Sequence, residues 1–352
     1  MLNYRSQILN MFDHLTSLID EAFQPEEAGN IKQIVRDVKE ATVFELPQNG
    51  QFIEGQNLYD LMEDDLFNMP FPSTLFEFPF DDIYFKPGTN TTVSSKRAVL
   101  ILDSQQLEHH PTIKQVLRQR PELTHPDHPG FLMVLPISYM DADCSFKEEI
   151  LSPEFLEMTG DAKGAWTPSP VWAVIEKVTK GEDLKQQHER QAQQQDLGPN
   201  AVILPFFVRL YPVASSLFEH YMEQDEEAFE EAHRHMLSDV TDEVVALCNF
   251  LVTLSCTNVK THKQAAPAKL NKKRARTGKH LIPEIHTLVI INTQPSTNAR
   301  VNQQTENYRD RVSPKAHLRR GHIRRLLTGK RTWVRPSMIG SIPKVQSTYI
   351  LW

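Results

Sequence analysis

Between Ser313 and Gly340 the chain reads SPKAHLRRGHIRRLLTGKRTWVRPSMIG, a run whose residue types suit phosphate chemistry. Arg319, Arg320, Arg324, Arg325, Lys330, Arg331 and Arg335 supply closely spaced cations, with Trp333 among them. Such cations displace condensed counterions from a nucleic-acid backbone, and an aromatic ring stacks on an unpaired base or anchors the segment. A second cluster, Lys272, Lys273, Arg274 and Arg276 in LNKKRARTGKH, lies upstream. His317 and His322 stand among the arginines. These are the residue types of metal-free ribonuclease sites, where His moves protons and Arg steadies a pentavalent phosphate. On a strand their five-residue interval puts them on opposite faces, unless Gly321 makes a bulge that re-aims one of them.

A different chemistry has its residues upstream. Asp103 closes one predicted strand, and Asp141 and Asp143 follow another. Carboxylates gathered at strand ends are what a Mg²⁺-dependent nuclease or phosphotransferase requires. Mg²⁺ is expected on that reading alone, and no cofactor otherwise. His125 and His128 in THPDHPG have a metal-like interval but the proline neighbours of a turn. His233 and His235, two apart on a predicted helix, point about 200° away from each other and cannot chelate one ion as HExxH does. There is no glycine-rich phosphate loop, GxSxG or CxxC, and thirteen glycines disfavour a nucleotide cradle.

The charge is divided along the chain. Residues 256–352 hold 20 Lys and Arg against 3 acids, a balance of +17, which leaves 18 basic and 42 acidic residues before them, a balance of −24. That asymmetry points the basic part at a polyanion. The alternatives are that the basic ribbon neutralises the acidic half or stands as a solvated surface. The acidic strings YDLMEDDLF and MEQDEEAFEEAH are solvated faces or, alternatively, a mimic of nucleic acid toward a host protein.

The elements that must position these residues follow from periodicity. Apolar residues at helical spacing predict helices around Leu2–Ile19 and Ile31–Val38. The Pro- and Phe-rich stretch from Gln48 to Thr92 predicts extended segments packed on the core. Strands are predicted at Arg97–Asp103, Phe131–Tyr139, Ala201–Tyr211 and Ile282–Asn292. Ser169-Pro170 reads as an N-cap and first turn for a helix through Trp172, Ile175 and Val178. Phe229 to Leu254 predicts one long helix, or two joined near Ser238. Thr328-Gly329, between β-branched and aromatic runs, signals a hairpin. The expected fold is α/β or α+β: a mixed sheet with packed helices and a basic C-terminal β-hairpin. The domain boundary is placed between an acidic core, 1–255, and a basic region, 256–352, with the strand near 282–292 assigned to either. Three cysteines without CxxC spacing argue for a reducing compartment, and no stretch has signal-peptide or transmembrane character.

The string HLRRGHIRRLLTGKRTWVRPSMIG, with the LNKKRARTGK element and the Phe/Pro-rich segment before it, resembles a group of proteins from tailed phages and prophages. They share a terminal box, HxRRGHxRR, a short turn, then GKxxWVRP. His317, Arg319, Arg320, Gly321, His322, Arg324, Gly329, Lys330, Trp333, Val334 and Arg335 match it. The resemblance implies a phage origin and supplies no activity or catalytic residues. The expected protein is therefore a phage-encoded nucleic-acid binder in the cytoplasm of an infected bacterium. DNA or RNA is its partner and no membrane is involved. The alternatives are a nucleic-acid-cleaving enzyme and a phage protein that binds and modulates a host protein.

Overall fold

The computed structural model describes residues 2–22, 25–53, 68–86, 89–125, 128, 130–141, 164–176, 208–213, 226–291, 317–319, 321–334 and 337–339. In chain order these form α1 (Tyr4–Ala22), α2 (Pro25–Glu40), β1 (Thr42–Glu45), β2 (Ser73–Lys86), β3 (Thr89–Asp103), α3 (Pro111–Gln119), β4 (Phe131–Asp141), β5 (Gly164–Pro168), β6 (Val171–Glu176) and β7 (Val208–Pro212). There follow α4 (Glu226–Leu254), β8 (Val259–Gln264), α5 (Ala268–Arg276), β9 (Ile285–Ile290), β10 (His317–Arg319), β11 (His322–Arg325), β12 (Arg331–Val334) and β13 (Ser337–Ile339).

Nine strands make one mixed sheet in the order β7-β6-β4-β3-β2-β1-β9-β8, with β5 also paired to β4. Pairing is antiparallel except that β1 runs parallel to both β2 and β9. The fold is α+β, and its central strands are apolar on both faces. Val99, Ile101, Leu132, Val134, Val171, Ala173 and Ile175 enter the core beneath α4, with Val244, Leu247 and Leu251 of that helix. Their alternates Leu100, Leu102, Met133, Leu135, Trp172 and Val174 enter a second core with Ile8, Phe12, Ile34 and Val38 of α1 and α2. Strands buried on both sides need continuous apolar runs, which is why RAVLILD and FLMVLPISY are so uniformly hydrophobic.

The same physics corrects the helix predicted after Ser169-Pro170. Val171–Glu176 is strand β6, buried throughout except at Glu176. Two buried faces erase the polar alternation that distinguishes a strand from a buried helix. Ser169-Pro170 instead turns the chain between β5 and β6, which share one edge of β4. Ser169 donates its N–H to the Pro136 carbonyl (2.8 Å), and its Oγ accepts the Val171 N–H (3.2 Å). The strand predicted from Ala201 begins within the described residues at Val208, and residues 201–207 lie outside them. The long helix predicted to Leu254 is a single element, α4. The charge boundary at residue 256 runs through the sheet, since β8 and β9 extend it beyond β1.

An ion pair and a set of carboxylate hydrogen bonds tie the layers together. Arg97 of β3 reaches Glu243 of α4 at 3.1 Å in the interior, with its guanidinium 4.5 Å from the Phe80 ring centre. At the start of α1, Glu77 accepts the N–H groups of Asn3 (3.1 Å) and Arg5 (2.6 Å), and Glu45 beside it accepts that of Leu2 (3.1 Å). Donors that a helix leaves unpaired in its first turn are thus met by carboxylates. Burial raises the Glu77 carboxyl from 4.5 to about 7, helped by Glu45 and opposed by the amide hydrogen bonds.

Candidate partner-binding surface

The hairpin forms where Thr328-Gly329 places it. Leu326 N–H donates to the Lys330 carbonyl (2.8 Å) and Gly329 N–H to the Leu326 carbonyl (2.9 Å). Gly329 sits at φ +80°, a conformation that disfavours any side chain. β11 pairs with β12, and β10 with β13, in one register: His322 follows His317 by five positions, and their partners Val334 and Ile339 are also five apart. The side chain of His317 lies outside the described residues, and that of His322 is half-buried.

The ribbon's inner side is part of the core. Ile323 and its cross-strand partner Trp333 are buried in the α4 layer. Asn258 holds Trp333 by its backbone, donating from Nδ2 to the carbonyl (2.9 Å) and accepting the N–H at Oδ1 (2.8 Å). A single amide side chain thereby imitates a neighbouring strand. The Arg331 carbonyl accepts Thr257 N–H (3.0 Å) and Thr257 Oγ1–H (3.1 Å), and Arg331 Nη1 donates to Ser255 Oγ (3.2 Å). These groups follow the end of α4, where a cation is favoured by the helix dipole. Cys256, also here, has its thiol pushed up to about 12 by burial, with Arg331 pulling the other way. Trp333 therefore anchors the ribbon and offers no ring to a base, and Arg331 turns inward, away from any phosphate.

The remaining predicted cations divide. Arg324, Arg325 and Lys330 are exposed around the turn. The backbone of Arg319 lies in β10, its side chain is outside the described residues, and Arg320 and Arg335 lie outside them altogether. On α5, Lys272, Lys273 and Arg276 are exposed, while Arg274 Nε donates to the His280 carbonyl (2.5 Å) and closes the following loop. Asn271 grips Ile282 as Asn258 grips Trp333, through two 2.8 Å bonds to its N–H and carbonyl. His280 Nε2 lies 2.6 Å from Asp13 of α1.

The two cationic elements lie at opposite ends of edge strand β8, the hairpin beside Val259 and α5 beyond Gln264. Lys260 and Lys263 are exposed on β8 itself. Glu284, ion-paired with Lys263, is the one acid among the described residues from 257 onward. His286, packed 5.2 Å from Phe44 and 5.4 Å from Phe71, has its pKa lowered by burial and adds no charge at neutral pH. This margin of the molecule is cationic and can attract an anionic partner.

Two of the carboxylates predicted for Mg²⁺, Asp103 and Asp141, stand far apart on the sheet. Asp103 pairs with Leu132 near the start of β4, whereas Asp141 ends that strand, nine residues and about 30 Å away. Because β3 and β4 are antiparallel, their carboxyl ends lie at opposite ends of the pair. Asp103 instead accepts Gln105 N–H (3.1 Å) and Gln106 Nε2–H (3.1 Å), fixing the turn after β3. Asp143 lies outside the described residues. His128 N–H donates to the His125 carbonyl (2.8 Å). No cluster of three potential metal-ligating side chains occurs among the described residues.

Residues 30–341 match the AcrVA2-like family, described as the anti-CRISPR type V subtype A2 family. The chain belongs to this family. It is thus a phage-related protein that modulates host defence, and the matched stretch contains every described strand. No curated protein and no solved structure matches it. No helix among the described residues is long and apolar enough to cross a membrane. In this anti-CRISPR chain the residues that organise the surface, Asn258, Asn271, Ser255 and Thr257, carried almost no sequence signal. The polar string SCTN directly after the apolar helix was the only trace of the first clamp.

Proposed function

We propose that this chain acts against host type V CRISPR defence by binding an effector protein of that system through the cationic margin of α5, β8 and the hairpin. The family match supplies the target class. The observation that carries the choice of surface is the pair of asparagine clamps, which tie the hairpin at Trp333 and the loop after α5 at Ile282. Preorganised groups lose less entropy on binding. Equilibrium titration of the nuclease-treated, purified effector with the full chain tests the proposal. Saturable binding that weakens with salt is expected, and absence of binding refutes it.

Nucleic-acid binding is the second reading, favoured by the outward cations Arg324, Lys330, Lys272, Lys273 and Arg276. Binding to DNA or RNA would then fall steeply with salt, and removing one phosphate contact would lower the slope by about 1. A salt-insensitive interaction argues against it. Cleavage by a carboxylate site gains no support from the separated Asp103 and Asp141.

A further inference from the structure

Large apolar side chains are exposed at few places among the described residues, and their distribution is not scattered. Among the described residues they are Leu270, Leu281, Leu326 and Leu327. All four lie in the two cationic elements or in the loop directly after α5. Leu270 is on α5 between Lys269 and the Lys272-Lys273 pair, and Leu281 follows His280 in the loop that Arg274 closes. Leu326 and Leu327 occupy the hairpin turn, with Arg324 and Arg325 before them and Lys330 after. Leu327 is wholly exposed.

We infer that these leucines and the cations around them form a docking surface for a protein whose acidic residues surround apolar pockets. The inference rests on the reading of the chain as a binder of a host effector protein, and names the chemistry of the face that partner presents.

Cations alone suffice to track a phosphate backbone, and aliphatic side chains add nothing to that task. A nucleic acid could use the leucines only by admitting them between bases, whereas the ribbon's own stacking ring, Trp333, faces inward. A merely solvated face would have no reason to place Leu270, Leu326 and Leu327 among lysines and arginines. A protein partner uses both features: apolar anchors enter pockets while the surrounding charges steer the encounter and fix the register. Both anchors are also held in place. The Leu326–Lys330 turn bonds fix the tip, the Asn258 clamp fixes its base, and the Asn271 clamp fixes the loop bearing Leu281.

The test uses the full chain and the nuclease-treated type V effector protein, titrated at several salt concentrations. The variants are Leu326→Ser/Leu327→Ser, Leu270→Ser/Leu281→Ser and Arg324→Gln/Lys330→Gln. Each leucine pair should weaken binding at least about tenfold with the salt slope unchanged, because the lost contribution is apolar burial. The charge pair should flatten the slope. Thermal unfolding is followed in parallel, and these exposed sites should leave it unaltered. If the wild-type chain does not bind the effector, the host-effector reading falls and this inference with it. Wild-type binding that both leucine variants retain within twofold overturns the inference alone. Leucine-dependent binding to duplex RNA, or to phosphatidylglycerol vesicles, with none to the effector would also overturn it.

Discussion

Lys330 and Arg331 are neighbours in the sequence and carry the same charge, yet the first stands in solvent at a turn while the second is buried beside the end of α4. The contrast extends along the ribbon. Ile323, Arg331 and Trp333 face the core, whereas Arg324, Leu326, Leu327 and Lys330 face outward. One hairpin therefore has a structural side and a presenting side. A basic sequence run does not reveal which cations are available to a partner, because strand alternation and docking assign them individually.

Removing the anchor should break the contrast most severely. Trp333→Ala empties a core site under α4 and should destabilise the protein by about 3–5 kcal/mol, read from denaturant midpoints. A change below 1 kcal/mol would mean the ribbon is not seated in the core.

A buried carboxylate sharpens the same comparison. Glu77 has its pKa raised from 4.5 to about 7, so the folded chain holds this proton more tightly than the unfolded chain. Its contribution is complete below about pH 4.5 and is lost as the pH rises through about 7, amounting to about 3 kcal/mol. Melting temperatures of the wild type and Glu77→Gln, compared from pH 4 to 8, should show the wild type losing stability relative to the variant. Parallel curves would refute the shift.

The outward cations should have the smallest effect on folding. Arg324→Gln and Lys330→Gln should each change stability by no more than about 0.5 kcal/mol. A larger loss in either variant would show that the outer side also supports the fold.

Much of the architecture was legible because its signals are local. Gly329 supplies a positive φ that the turn requires, and the spacing of Ile8, Phe12, Ile34 and Val38 describes helical faces. RAVLILD and FLMVLPISY were readable as strands through length and β-branched content. Val171–Glu176 was not, since burial on both faces leaves no polar alternate to mark the period. The candidate site was legible in composition and illegible in detail. Its cations are plain in the string, but Asn258 and Asn271 act through pairings across 75 and 11 residues.

By itself the sequence determined the partition of charge, the turn at Thr328-Gly329 and the apolar runs that must become interior strands, because each depends on the residues at hand. Only the tertiary structure decided that β3 and β4 run antiparallel, which carries Asp103 away from Asp141. It also decided that Arg331 and Trp333 belong to the core, and that two asparagines fix the cationic elements at the ends of β8. Strand direction and burial arise from pairings between distant segments, and those energies are not written in any one of the segments.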